Sequence, residues 1–326
     1  MKISAFTIVR DAEQFDFQIE ESIKSLLPIV DEYVVNVGKS NDNTLDIIKN
    51  IPSEKIRIIE SSWDTTFFNE GGQIFAHETN KMLKECSGDW CIYLQGDEVL
   101  HEDAWEEIQQ ACAYYLDDKS VDGFLLRYVH IYADYNHYIS ARHQGYPKEI
   151  RIVRNDKDIH SWKDAQSFRR IPDFDYKNYY RIENTKKLRC VLLKNAFVYH
   201  YGWSRNPYKM IKKVIVQKKL HDGEESTKHI TEPYFDYGNI SSFPVFKGQH
   251  PAVMEERIKK MDWQELLSYR GKNPNWKKMF SFKYQIINFI ERFLPNGNRI
   301  GGFTNYKQVG VFSAKKVDIK TFCKYL

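Results

Sequence analysis

The sequence predicts an α/β protein built on a mostly parallel, Rossmann-like sheet with helices on both faces. Three observations carry that expectation. Strand-like and helix-like stretches alternate through the first hundred residues. Trp90-Cys91-Ile92-Tyr93-Leu94 is apolar throughout, as a strand buried on both faces must be. That run then ends abruptly at two carboxylates, Asp97 and Glu98. Acidic residues at the carboxyl edge of such a sheet stand where open α/β folds bind ligands. Taken alone, the pattern also fits a plain strand followed by a helix capped by Asp97 or Glu98.

The elements follow in order. Lys2 to Val9 reads as a strand, and Gln18 to Leu27 as an amphipathic helix stopped by Pro28. Glu32 to Val37 is a second strand. Asn41 to Asn50 is a short helix with Asn41 or Asp42 as cap and Pro52 beyond it. Ile56 to Glu60 is a third strand, Asn69 to Cys86 a helix opening on Gly71-Gly72, and Trp90 to Leu94 the fourth strand. A helical stretch, His101 to Leu116, precedes strand-like Gly123 to Ile131. A Tyr-rich irregular section covers Tyr132 to Tyr146. The strand Glu149 to Arg154 leads to the loop His160-Ser161-Trp162-Lys163-Asp164-Ala165-Gln166. Leu188 to His200 is again strand-like, and Asn206-Pro207 starts a basic helix to about Leu220, with Asn as cap and Pro in the first turn. From about residue 225 the chain is rich in Pro, Gly, Lys and aromatics, and its clearest helix is Trp276 to Leu294.

Composition excludes several classes. The five cysteines (Cys86, Cys91, Cys112, Cys190, Cys323) are odd in number and lack C-x-x-C spacing, which argues against a disulfide framework or structural zinc. Neither a basic leader with an apolar core nor a run able to span a bilayer is present, so a cytoplasmic protein is the expectation. No G-x-G-x-x-G follows the first strand and there is no G-x-x-x-x-G-K-[ST] loop, which disfavours dinucleotide and P-loop chemistry. Charge is split. Residues 1–150 carry 13 Lys/Arg against 27 Asp/Glu, and residues 151–326 carry 35 against 17. The basic half suits an anionic partner, or else the halves pair with each other. No nucleic-acid module is recognisable, and none is expected to bind.

With these pieces in order, the first two hundred residues resemble the family-2 glycosyltransferases of the GT-A fold. Thr7-Ile8-Val9-Arg10-Asp11-Ala12-Glu13 is similar to the family's opening strand and turn, where the nucleotide base sits. Val37-Gly38-Lys39-Ser40-Asn41-Asp42-Asn43-Thr44 is similar to its Asp-rich loop after the second strand. Gln95-Gly96-Asp97-Glu98 occupies the place of the Asp-x-Asp metal motif, and Asp164 and His200 fall where the family has its catalytic base and a further metal ligand. The resemblance implies a GT-A catalytic domain over residues 1–224. Residues 225–326 form a mainly helical, basic, aromatic-rich extension. It also implies a donor site of Thr7, Val9, Arg10, Asp11, Gly38, Ser40, Asp42, Gln95, Gly96 and Asp97, and a divalent cation, Mn²⁺ or Mg²⁺, on Asp97 and His200. Histidine suits Mn²⁺ better than Mg²⁺. Departures stand at Gln95, a poor cation ligand, at Gly38-Lys39, and at Asp11 in place of Asn.

The implied activity is inverting transfer of a sugar from a nucleotide-diphosphate sugar to a hydroxyl of a glycan, glycolipid or glycoprotein. Asp164 is the general base, unless it only caps a short helix. His200 is a metal ligand, unless it is a strand-end histidine bonded to backbone. Trp162, Gln166 and Trp203, with Tyr132, Tyr135, Tyr138 and Tyr146, are candidates for an acceptor wall, or else core. Arg205 and Lys209 are candidates to meet donor phosphates at the N-terminus of the 206–220 helix, whose lysines are otherwise plain surface residues. The 276–294 segment either lies on an anionic membrane surface or docks on the catalytic domain. Two other functions remain open: a non-catalytic sugar- or nucleotide-binding module of the same fold, motivated by Gln95 and Lys39, and a sugar nucleotidyltransferase.

Overall fold

The computed structural model describes residues 1–68 and 71–314. β1 (Ile3–Val9), α1 (Ile19–Leu26), β2 (Glu32–Gly38), α2 (Thr44–Lys49), β3 (Ile56–Ser61), α3 (Gln73–Glu85) and β4 (Trp90–Tyr93) bear out the strand–helix alternation. The expected start of the third helix, Asn69, lies outside the described residues. β1 runs parallel to β2 and β4, and β2 parallel to β3. Every residue of β1 and β4 is buried. Alternate residues serve opposite faces: Ala5, Val9, Val35 and Val37 pack with Ile23, Leu26 and Ile108 of the helices on one side. Phe6, Ile8 and Val34 pack with Ile74, Met82 and Leu83 on the other.

β5 (Glu98–Leu100), α4 (Trp105–Tyr114), β6 (Gly123–Tyr132) and β7 (Lys148–Arg154) follow, with β7 inserted antiparallel between β4 and β6. β8 (Ile159–Trp162) and β9 (Ser167–Arg170) form a hairpin. The long β10 (Lys186–Trp203) pairs parallel with β6 and antiparallel with β5 and β9, and α5 (Pro207–Asp222) follows it. The sheet order is β3-β2-β1-β4-β7-β6-β10-β9-β8. This is the mostly parallel, helix-flanked α/β arrangement that the resemblance implies.

The tail adds α6 (Glu255–Lys259), α7 (Lys277–Phe280), α8 (Phe282–Glu291) and β11 (Tyr306–Phe312). The helix expected over 276–294 is two helices, broken at Ser281, whose ψ of 144° is extended. β11, which the sequence did not announce, joins the sheet parallel to β10. The acidic and basic halves pair: Arg257 bridges Asp16 and Glu21 at 2.9 and 2.8 Å. Lys148 Nζ donates to the Asn296 carbonyl, Asn298 Oδ1 and Gln308 Oε1, tying the tail to β7. Among the described residues no helix is long and apolar enough to cross a membrane. Cys86, Cys91, Cys112 and Cys190 are buried and unpaired, and Cys323 lies outside the described residues.

Candidate active site

The turn after β4 is fixed from below. Glu98 is fully buried and takes a two-pronged ion pair from Arg151 of β7, Nε to Oε2 and Nη2 to Oε1, both at 2.8 Å. Tyr128 Oη donates to the same carboxylate at 2.8 Å. Such a pair is held rigidly because removing either member strands a buried charge, at about 3–5 kcal/mol. β5 then aligns with β10 so that Glu98 opposes His200, and Tyr201 N donates to the Asp97 carbonyl. The register therefore sets Asp97 and His200 side by side.

Asp97 has two different faces. Its Oδ2 accepts from Lys213 Nζ at 2.8 Å and has Arg205 Nη2 at 3.5 Å; all three side chains are buried. Burial alone would raise the Asp97 carboxyl, but the Lys213 ammonium, the adjacent His200 and the Arg205 guanidinium override it and hold it well below the usual carboxylate range. Burial, with Arg205 beside it, lowers Lys213 to about 8. On the other face, Asp97 Oδ1 lies 3.8 Å from His200 Nε2.

The protonation of that histidine is fixed by a relay. His130 Nε2 lies 2.8 Å from the Tyr146 carbonyl, which only accepts, so His130 carries its proton on Nε2. His130 Nδ1 lies 3.0 Å from His200 Nδ1, which must then be the donor. Burial, with His200 next to it, pushes His130 down to about 3, and burial also holds His200 below its ordinary value. In the neutral form that burial favours, His200 Nε2 presents a lone pair to the Asp97 carboxylate. Two facing lone pairs repel unless a cation sits between them. Space for one is kept by Gly202: a Cβ there would overlap the His200 ring and stand 3.1 Å from Asp97 Oδ2. A histidine ligand whose other nitrogen donates inward is the ordinary support for a bound metal. Among the described residues no three His, Cys, Asp or Glu side chains converge, so a cation here would have Asp97 and His200 as its protein ligands and would need further oxygen donors. The residues present fit a divalent cation on those terms.

A cleft of about 700 Å³ opens on Asp97 and is lined by Val9, Arg10, Asp11, Gln95, Gly96 and Asp97 of the expected donor set. Thr7, Gly38, Ser40 and Asp42 do not line it; they build its wall. Thr7 Oγ1 donates to the Leu94 carbonyl, and Ser40 Oγ accepts from Asp11 N. Asp42 accepts from Gln14 N and Thr44 N, and Trp63 packs on Gly38. The sequence reading missed Trp63, Phe75, Tyr93, Lys213, Gln217 and His221, which also line the cleft.

A second cavity of about 410 Å³ is lined by Gln166, His200, Glu149 and Arg299, among others. Tyr146, Asp164 and Trp203 line both spaces. Asp164 caps no helix: it sits in the turn joining β8 to β9, between Lys163 and Ala165, both at positive φ (59° and 62°). Two non-glycine residues in that region are strain held at one spot. Gln166 Nε2 donates to Asp164 Oδ1 at 2.8 Å. Gly72, at φ 66°, meets this turn so closely that a Cβ would lie 3.0 Å from that of Asp164.

Several expectations need correcting. Trp162 is not an acceptor wall: it is 1 % exposed, its indole N–H donates to the Arg181 carbonyl and Arg169 stacks on its ring. Tyr132 and Tyr135 are core residues, and of the Tyr group only Tyr146 lines either of the two spaces. Arg205 does not face the cleft; it is fully buried, donating to the Phe15 carbonyl and flanking Asp97.

No protein-family model and no curated protein matches the chain. Among solved structures it is similar to S. aureus TarS, at 19% identity and a TM-score of 0.38, over 68% of this chain and 40% of that one. For the 1–349 piece of TarS solved with UDP, the share of that chain is 67%. It is also similar to glucosyl-3-phosphoglycerate synthase from Mycobacterium tuberculosis, solved with Mn²⁺, UDP and phosphoglyceric acid, at 18% identity and a TM-score of 0.28. That match covers 40% of this chain and 43% of that one. At these values the relatives say nothing about the substrate of this chain, whose own side chains have to carry the reading.

Proposed function

We propose that this chain is a glycosyltransferase that moves a sugar, with inversion, from a nucleotide-diphosphate sugar to an acceptor hydroxyl. One observation carries the reading: Asp164 lines both the cleft that opens on Asp97 and the second cavity, so a base stands where two substrates would meet. The larger space suits a nucleotide sugar in volume. Arg10, Gln95 and Lys213 supply its polar wall and a positive charge for the diphosphate. Asp97 and His200 hold a divalent cation, Mn²⁺ or Mg²⁺, which when bound supplies electrostatic stabilisation of the leaving diphosphate. The acceptor oxygen attacks the anomeric carbon as the bond from that carbon to the diphosphate oxygen breaks. The bonding pair leaves with the nucleoside diphosphate, and the hydroxyl proton passes to Asp164. A single displacement inverts the anomeric centre. Arg299 and Phe303 of the C-terminal extension line the second cavity and complete the acceptor side.

The test is a thermal-shift screen of nucleoside diphosphates and their sugars with and without Mn²⁺, followed by donor turnover. Asp164→Asn keeps donor binding and loses transfer by about 10²–10⁴-fold. A panel giving neither a shift nor turnover would sink the proposal.

A further inference from the structure

The helix α8 is amphipathic the wrong way round for a docked helix. Its one buried residue is Glu291. Glu291 Oε1 accepts from His143 Nε2 at 2.8 Å and from Ile300 N at 2.6 Å, and its carbonyl accepts from Arg142. The opposite side carries Phe282, Ile286 and Phe289, and the turn that continues the helix carries Phe293; these are 78, 47, 60 and 75% exposed. Their spacing of four, three and four residues makes one narrow stripe, about 180° from Glu291 at 100° per residue. On the same helical wheel, exposed Lys283 and Arg292 flank the stripe on either side, and exposed Lys277 and Lys278 precede it. From residue 276 to 294 the single acidic side chain is Glu291, and it is turned inward. What faces outward is apolar in the middle and positive at the edges.

We infer that this face of α8 docks on an anionic lipid surface. Large apolar side chains flanked by cations match the boundary between acyl chains and negative headgroups, where burial and charge attraction act together. The chain's own end is a poorer occupant. Residues 315–326 carry Lys315, Lys316, Lys320 and Lys324 against Asp318, the same sign as the edges of the stripe. The placement also has a use, and here the inference rests on the transfer reading. Arg142 and His143 hold α8, while the next residues, Gln144, Gly145 and Tyr146, line the second cavity. A docked helix therefore sets the acceptor side of the site beside the membrane, and the acceptor is one that the membrane carries.

Flotation with phosphatidylcholine vesicles, with and without phosphatidylglycerol, tests the docking without any donor or acceptor. The full chain floats with the anionic vesicles at low salt, less at high salt, and not with neutral vesicles. The double variant Phe289→Ser/Phe293→Ser loses at least ~10-fold in partition with an unchanged circular dichroism spectrum. Lys283→Glu/Arg292→Glu loses binding and its salt dependence together. Donor hydrolysis in solution stays within about twofold in both variants, because none of these residues lines the donor cleft; its failure in the parent would count against transfer and leave docking untouched. Absence of flotation, or equal flotation of the variants, overturns the inference. So does a concentration-dependent dimer that the Phe double variant splits, since a second copy would then be the occupant. Much tighter vesicle binding by a chain ended at Ala314 would assign the stripe to the chain's own end.

Discussion

Replacing His130 by Phe removes the acceptor that fixes the proton of His200 and leaves both residues' other surroundings in place. In the parent, the Tyr146 carbonyl holds the proton of His130 on Nε2, and His130 Nδ1 accepts from His200 Nδ1 at 3.0 Å. In the variant the His200 N–H on that side is buried without a partner, which costs about 1–3 kcal/mol. The other tautomer escapes that cost by putting its proton on Nε2, towards Asp97 Oδ1, 3.8 Å away. It thereby blocks the lone pair that a cation needs. Charging about 1–3 kcal/mol to the productive tautomer lowers cation affinity by roughly 5- to 150-fold, which brackets the roughly 10–100-fold typical when the partner of a metal-ligating histidine is lost. The assay is a Mn²⁺ titration by electron paramagnetic resonance with a nucleoside diphosphate present, alongside ¹⁵N shifts of His200 in the metal-free protein. His130→Gln, which can offer a carbonyl oxygen to His200 Nδ1, should recover part of the affinity. Mn²⁺ affinity within twofold of the parent in a folded His130→Phe, or a parent His200 protonated on Nε2, would refute the relay.

Three further outcomes are expected. Gly202→Ala puts a Cβ onto the buried His200 ring and should abolish the Mn²⁺-dependent thermal shift as well as lower the metal-free melting temperature; a retained Mn²⁺ shift counts against the cation site. Lys213→Met should weaken nucleoside-diphosphate binding measured by calorimetry in the presence of a chelator, where the parent keeps residual affinity; equal affinities would remove Lys213 from the donor site. Glu32 ties β2 to β1 and to the α3–β4 turn: burial alone would raise its carboxyl, but hydrogen bonds from Ser4 and Ser87 lower it to about 2. A folded pKa below the unfolded one gives stability that is present above about pH 4.5 and lost as pH falls towards 2. The parent melting temperature should therefore drop more steeply over that window than that of Glu32→Gln, and parallel curves would discount the contribution.

What the sequence announced was local, and what it hid was long-range. β1 to β4 were legible because apolar runs, Pro28 and Pro52 punctuate them within a few residues. β11 was not: Tyr306-Lys307-Gln308-Val309-Gly310-Val311-Phe312 is half polar and becomes a strand only because β10, more than a hundred residues earlier, offers it an edge. The site divides the same way. Asp97 was legible because two carboxylates after a buried strand need a reason. His130 was not, since a histidine inside Tyr128-Val129-His130-Ile131-Tyr132 reads as core until its ring is seen against His200. Lys213 was masked by its neighbours in a helix rich in lysine, of which it alone reaches Asp97. Trp162 misled because its place next to the Asp164 turn says nothing about which way the indole faces. Strand pairing and Arg169 turn it inward.

The same geometry gives Gln95 a physical reason. A second carboxylate at that position would set two negative charges against Lys213 and Arg205 and leave the group neutral. With Gln95 the group is Asp97, Lys213 and Arg205, with Glu98 cancelled by Arg151; with the two histidines in the neutral form that burial favours, it carries one net positive charge before any cation enters. Lys213 lines the cleft, and its lowered pKa of about 8 still leaves it mostly charged at neutral pH. A diphosphate is then attracted by the protein itself, and a divalent cation adds to that attraction. Chelation should accordingly weaken donor binding in the parent without abolishing it, and Gln95→Asp should make binding depend far more strongly on the cation. In a chelator titration both proteins lose affinity, the variant by far the more. A Gln95→Asp variant that binds the nucleoside diphosphate as well as the parent in chelator would show that the charge balance around Asp97 does not govern the site.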